Sequence, residues 1–180
     1  MNAMKNESTE HAAEADENRL IAERRAKLAA LREEGEAYPN DFRKDSTAGE
    51  LHSRFGEADA AELERIGETC TVAGRMMAKR MMGKIAFVRL QDRSGAIQLM
   101  IQRADLPAGV FQQFKHWDIG DLLGARGRVV RTQKGELSIR VGELRLLVKA
   151  LRPLPEKYHG LTDTEMRYRE RYVDVIGNED

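Results

Sequence analysis

The residues that could do chemistry lie in one short stretch, GKIAFVRLQDRSGAIQLM, from Gly83 to Met100. Asp92-Arg93-Ser94-Gly95 is a four-residue turn signal between two apolar-alternating runs, so the stretch predicts a β-hairpin. Simple antiparallel pairing across that turn sets Gln91 opposite Ala96, Leu90 opposite Ile97, Arg89 opposite Gln98 and Phe87 opposite Met100. Side chains alternate with period two. One face then carries Ala86, Val88, Leu90, Ile97, Leu99 and Ile101, all apolar, and must be core. The other carries Phe87, Arg89, Gln98 and Met100. An outward aromatic beside a guanidinium and an amide is a platform for a stacked base with a reader for its edge. Arg75, Lys79, Arg80 and Lys84 precede it and could follow a phosphate backbone.

Each of these residues also has a plainer reading. Phe87 could tuck under a loop, Gln98 could be a solvated strand residue, and Arg89 could pair with an acid across the strands. Met76, Met77, Met81 and Met82 fit core packing and a hairpin tip better than a cofactor box. His11, His52, His116 and His159 have no metal-ligand spacing, and no metal site is expected. There is no P-loop, no GxGxxG, no nucleophile elbow and no HExxH, so no catalytic residue is assigned.

The elements that must hold this hairpin can be read along the 180 residues. Residues 1–15 are polar and aperiodic and predict a disordered tail. Asp16 to Glu34 predicts a helix with a thin apolar stripe of Leu20, Ile21, Leu28 and Leu31, ended by Gly35. Thr47 with Glu50, and Asp59 with Glu62, mark two short helices, completing a helical region over 16–67. From residue 68 the pattern turns to strands: Thr69 to Met77, Lys84 to Gln91, Ala96 to Gln102, Leu122 to Thr132 and Glu136 to Val148. A helix within Pro107 to Trp117 separates the third strand from the fourth. Five strands with a helix at that place predict an all-β, five-stranded OB-fold barrel over 68–150 with an N-terminal α-helical extension. Residues 151–180 read as a Pro-containing linker followed by a helical segment, MRYRERYVDVI.

Composition narrows the classes. Thirty Lys and Arg balance thirty Asp and Glu, yet the balance is a partition. Residues 1–71 carry a net −7, residues 72–135 a net +8 and residues 136–180 a net −1. A basic module beside an acidic arm is a candidate polyanion binder. No stretch approaches a membrane span, and the start lacks the apolar core of a secretory signal. One cysteine, Cys70, forbids an internal disulfide, and a reducing cytoplasmic home is expected. On the residues alone, the reading is a single-stranded nucleic-acid-binding barrel with a helical arm. A free-standing tRNA-binding module without enzyme activity and a purely structural barrel remain open beside it.

The run VAGRMMAKRMMGKIAFVRLQDRSGAIQLM, Val72 to Met100, resembles the anticodon-binding domain of bacterial lysyl-tRNA synthetases, class II enzymes. RRAKLAALREEGEAYPNDF, GELSI and ELRLLVKALRPLPEKYHGLTDTEMRYRERYVDVI extend the resemblance over nearly all of 18–180. The resemblance implies that Phe87 stacks on the central uracil of the anticodon, that Gln98 and Glu136 read that base, and that Arg75 contacts base or backbone. It also implies a lysine tRNA as partner, with no cofactor held by this stretch. The longer enzyme would use ATP and Mg²⁺ to join lysine to its tRNA through a lysyl-adenylate, and would be a homodimer. Its catalytic motifs are expected beyond residue 180, so this chain by itself is expected to be inactive.

Overall fold

The computed structural model describes residues 3–35 and 37–154, with side chains from residue 15 onward. The predicted helix MRYRERYVDVI and most of the predicted linker lie outside the described residues. The chain divides into two units, one of residues 1–25 with 151–180 and one of residues 26–150. In the first, Arg24 Nη1 donates to the Arg152 carbonyl at 2.8 Å.

The first helix, α1, runs Ala3–Glu34. It therefore takes in residues the sequence predicts as a tail. The reason is local: Ala, Glu, Met and Lys in that stretch favour helix without needing an apolar face. Leu28 is the one member of the predicted stripe that is fully buried. Two short helices follow, α2 at Ala48–Phe55 and α3 at Ala60–Ile66. Thr47 and Glu50 close a capping box on α2, Asp59 caps α3, and Gly67 ends α3 at φ 67°.

Five strands then close a barrel: β1 Thr69–Met82, β2 Ile85–Asp92, β3 Gly95–Gln102, β4 Leu122–Arg131 and β5 Leu137–Val148. They are ordered β1-β2-β3-β5-β4, with β4 returning to β1. All pairs are antiparallel except β3 with β5. Closure removes every sheet edge. The expected five-stranded OB-fold barrel with an N-terminal helical extension is the observed architecture. Helix α4 at Val110–Lys115 lies between β3 and β4 and sets Phe111 and Phe114 into the core.

The core holds the predicted inner face, with Ala86, Val88, Leu90, Ile97, Leu99 and Ile101 all buried. Met76 joins it, whereas Met81 and Met82 are exposed at the β1–β2 tip, as expected. Cys70 is buried too, and burial pushes its thiol up to about 12. Below α4 lies a charged tie. Lys149 Nζ sits 2.6 Å from Asp118 and 2.7 Å from Asp121, and Lys27 of α1 adds a 2.7 Å contact to Asp118. Among the described residues no helix is long and apolar enough to cross a membrane.

Candidate nucleic-acid interface

The hairpin register is the one its turn implies. Phe87 pairs with Met100, Arg89 with Gln98, Leu90 with Ile97 and Gln91 with Ala96. Phe87 and Gln98 are half-buried and Arg89 is exposed. The turn itself does more than reverse the chain. Asp92 accepts from the Ser94 amide and hydroxyl at 2.8 and 2.6 Å and from the Ala48 amide at 3.0 Å. The Ser94 hydroxyl accepts in turn from the Gly49 amide at 2.8 Å. The N-terminus of α2 is thereby pinned to the end of the hairpin. Burial acts to raise the Asp92 pKa, but the bonds it accepts outweigh this and hold it low.

The basic residues of β1 separate into two groups, because the β1–β2 register shifts between Met76 and Ala78. A bulge reverses the alternation of side chains beyond it. Arg75 lies opposite Gln91 and Arg80 opposite Phe87, both with the outward set. Lys79 lies opposite Val88, with the inward set. Its Nζ donates to the carbonyls of Phe114, Lys115 and Trp117 at 2.8, 2.9 and 2.9 Å and stands 4.6 Å from the Phe114 ring centre. All three ammonium donors thus close the C-terminus of α4. The Lys79 ammonium, expected to follow a phosphate backbone, is thus engaged with the end of α4. Burial lowers its pKa, with Asp118 opposing.

Arg75 is also engaged, its Nη1 donating to the Gly120 carbonyl at 2.7 Å. Arg80 is exposed beside Phe87, and Lys84 is exposed in the β1–β2 turn. Of the predicted cations, Arg80, Lys84 and Arg89 are the exposed ones on or beside the Phe87 face.

The parallel pairing of β3 with β5 brings in the far end of the sequence. Gln98 pairs with Ser138, and its Nε2 donates to the Ser138 hydroxyl at 2.8 Å. That hydroxyl donates to the Glu136 carbonyl at 3.2 Å. One N–H of the Gln98 amide is thereby committed, leaving its oxygen and second N–H for a ligand. Glu136 lies just before β5, where the sequence places it at the start of the strand. It is exposed, and its backbone is held by Thr132, whose hydroxyl accepts from the Glu136 amide at 3.2 Å and whose amide donates to the Glu136 carbonyl at 3.0 Å. The fold therefore gathers Phe87, Gln98 and the Glu136 backbone along β2, β3 and the head of β5.

Ser138 escaped the sequence reading. The available signal was a lone hydroxyl in LSIRV, out of phase with the inward Leu137, Ile139 and Val141, and Ser138 is itself buried. A hollow of about 430 Å³ is bounded by Arg126, Arg128, Arg140, Asp105 and Glu143, with Arg140 and Asp105 joined by two bonds of 2.7 and 2.9 Å. None of Phe87, Arg89, Gln98 or Met100 lines it, although its Arg140 pairs with Met100 across β3 and β5.

Comparison with known proteins agrees with this fold. Residues 70–147 match the family model described as an OB-fold nucleic acid binding domain, the tRNA anticodon type. The chain is 58% identical over 166 residues to a lysine–tRNA ligase of Serratia proteamaculans, and 57% identical over the same length to those of Pectobacterium carotovorum and Salmonella arizonae. Each alignment covers 92% of this chain and 33% of the relative. The chain thus spans about a third of the length of the curated relatives it matches. The barrel thus has the OB-fold, its residues 70–147 match the anticodon-type family model, and the chain is similar over nearly its whole length to a third of a lysine–tRNA ligase.

Proposed function

We propose that this chain reads the anticodon of a lysine tRNA on behalf of a lysine–tRNA ligase, and that its target is the central uridine. The observation that carries this reading is the outward set of Phe87, Arg89 and Gln98, with the Gln98 amide oriented by Ser138. Phe87 offers a stacking surface. Uracil presents an N3–H donor between two carbonyl acceptors, whereas cytosine presents an acceptor at N3. An amide oxygen or the Glu136 carboxylate can accept from N3–H but meets a lone pair on cytosine. An unmet polar group in a desolvated contact costs about 1–3 kcal/mol. That penalty converts a base-tolerant platform into a uracil selector. Arg80, Lys84 and Arg89 supply positive charge for the phosphates on either side.

The ligase reaction, in which lysine is joined to its tRNA with ATP and Mg²⁺ through a lysyl-adenylate, belongs in this reading to the longer enzyme. So do its homodimeric state and its cytoplasmic location. Among the described residues no group of three or more His, Cys, Asp or Glu side chains is arranged to hold a metal ion.

Photo-crosslinking tests the placement. An anticodon stem-loop carrying 5-iodouridine at its central position is expected to attach to the peptide containing Phe87. Attachment instead to β4, around Arg126 and Arg128, would overturn the assignment.

A further inference from the structure

Arg131, the last residue of β4, makes four hydrogen bonds to backbone carbonyls. Its Nε donates to Ala58 at 2.7 Å and its Nη2 to Phe55 and Gly56 at 3.0 and 2.7 Å. Its Nη1 donates to Gly135 at 2.7 Å. The first three acceptors lie at the C-terminal end of α2 and in its exit towards α3, where a helix leaves carbonyls without intrahelical donors. That end is firmly seated, since Leu51 and Phe55 are both core residues. The fourth acceptor immediately precedes Glu136. A planar guanidinium can satisfy acceptors on two of its edges at once, and a lysine ammonium has no such span.

The turn it grips is exposed and is otherwise held by bonds within itself. Gln133, Lys134, Gly135 and Glu136 are all exposed. Apart from Arg131, the turn is held by the Gly135 amide donating to the Thr132 carbonyl at 2.8 Å and by the Thr132–Glu136 bonds. The Glu136 carbonyl then accepts from Ser138, whose hydroxyl accepts from Gln98. A continuous set of bonds therefore runs from the α2 exit through Arg131, Gly135, Glu136 and Ser138 to Gln98.

We infer that Arg131 is a positioning residue for base selectivity: it holds the Glu136 turn, and through Ser138 the Gln98 amide, at the spacing a uracil edge requires. This rests on the uridine reading proposed above. Arg131 touches no base itself. Its loss leaves the Phe87 platform and the exposed cations in place and loosens only the edge readers, so affinity for the uridine loop falls towards that for the cytidine loop, which is kept.

The test uses the 180-residue chain with two labelled anticodon stem-loops that differ only by uridine or cytidine at the central position. Arg131→Lys is expected to reduce the uridine preference about tenfold and to change the affinity for the cytidine loop by no more than about twofold. Thr132→Val removes one bond from the same turn at a site with less risk to folding, and is expected to give a smaller loss of the same kind. It decides the matter if Arg131→Lys does not fold. A purely structural role would weaken both loops equally or lower only the melting temperature. Either result, or an unchanged preference in folded variants, overturns the inference. If the unsubstituted chain itself shows no preference for uridine, the anticodon reading fails, and this inference with it. If that preference is present and both variants keep it, the positioning role alone is lost.

Discussion

Gln98 on β3 and Ser138 on β5 face each other across the one parallel pairing of the barrel, with Nε2 donating to Oγ at 2.8 Å. Forty residues of chain separate them, yet this bond decides which way the Gln98 amide presents its oxygen. Ser138→Ala removes the acceptor and frees the amide to rotate. The variant is expected to keep its fold and lose about three- to tenfold of its uridine preference, since a hydrogen bond of this kind contributes roughly 0.5–1.5 kcal/mol. Titration of the two stem-loops checks this. An unchanged preference would mean that Gln98 does not need the serine to read.

Phe87 stands apart from the core, half-buried with Arg80 on one side and Met100 on the other. Phe87→Ala should therefore cost binding rather than folding, about 1–3 kcal/mol for one stacked base. Phe87→Tyr should retain most of the affinity. Binding isotherms beside a thermal melt separate the two effects. A large drop in melting temperature with unaltered binding would return Phe87 to the status of a packing residue.

The bulge in β1 predicts a sharp difference between neighbours. Arg80→Ala should lower the slope of log affinity against log salt by about 0.7, the amount for one contact to a single strand. Lys79→Ala should leave that slope alone. It removes three bonds to the end of α4, and a hydrogen bond from a charged donor is worth roughly 1.5–3 kcal/mol. Chemical denaturation of Lys79→Ala, together with salt titrations of both variants, tests the division. Equal slopes for the two variants would contradict the inward placement of Lys79.

Acid should unfold the protein through named carboxylates. Burial raises the Asp118 and Asp92 pKa values, but bonds from Lys149 and Lys27 to the first, and from Ser94 and Ala48 to the second, bring both below the ordinary value. The folded state then holds fewer protons than the unfolded one as pH falls. The stability from these groups is present above the ordinary carboxylate pKa near 4 and is lost as pH drops through the lower folded values. Thermal midpoints between about pH 6 and pH 3 should fall, and Asp92→Asn should flatten part of that fall. The same slope in the variant would show that Asp92 contributes nothing to it.

The hairpin was legible in the sequence because local signals agree. Asp92 to Gly95 names the turn, and strict alternation on both sides names the core face, so the register follows. The β1 bulge left no such trace. In RMMAKRMM nearly every residue is apolar or a long amphipathic cation, and either parity reads equally well. The sequence therefore does not separate Lys79 from Arg80. The Gln98–Ser138 bond and the Arg131 grip join segments that are 40 and 73 to 76 residues apart. Period and propensity carry no information at that separation. The first helix extended past its predicted start because its residues favour helix one by one, without the apolar stripe that periodicity detects.

The central claim is that the chain tells uridine from cytidine at the middle of an anticodon. Its most direct test is a titration of the 180-residue chain with the two stem-loops, followed by fluorescence anisotropy at one fixed, moderate salt concentration. The account predicts tighter binding of the uridine loop by about tenfold or more, the equivalent of one unmet polar group. Equal binding of both loops would contradict it.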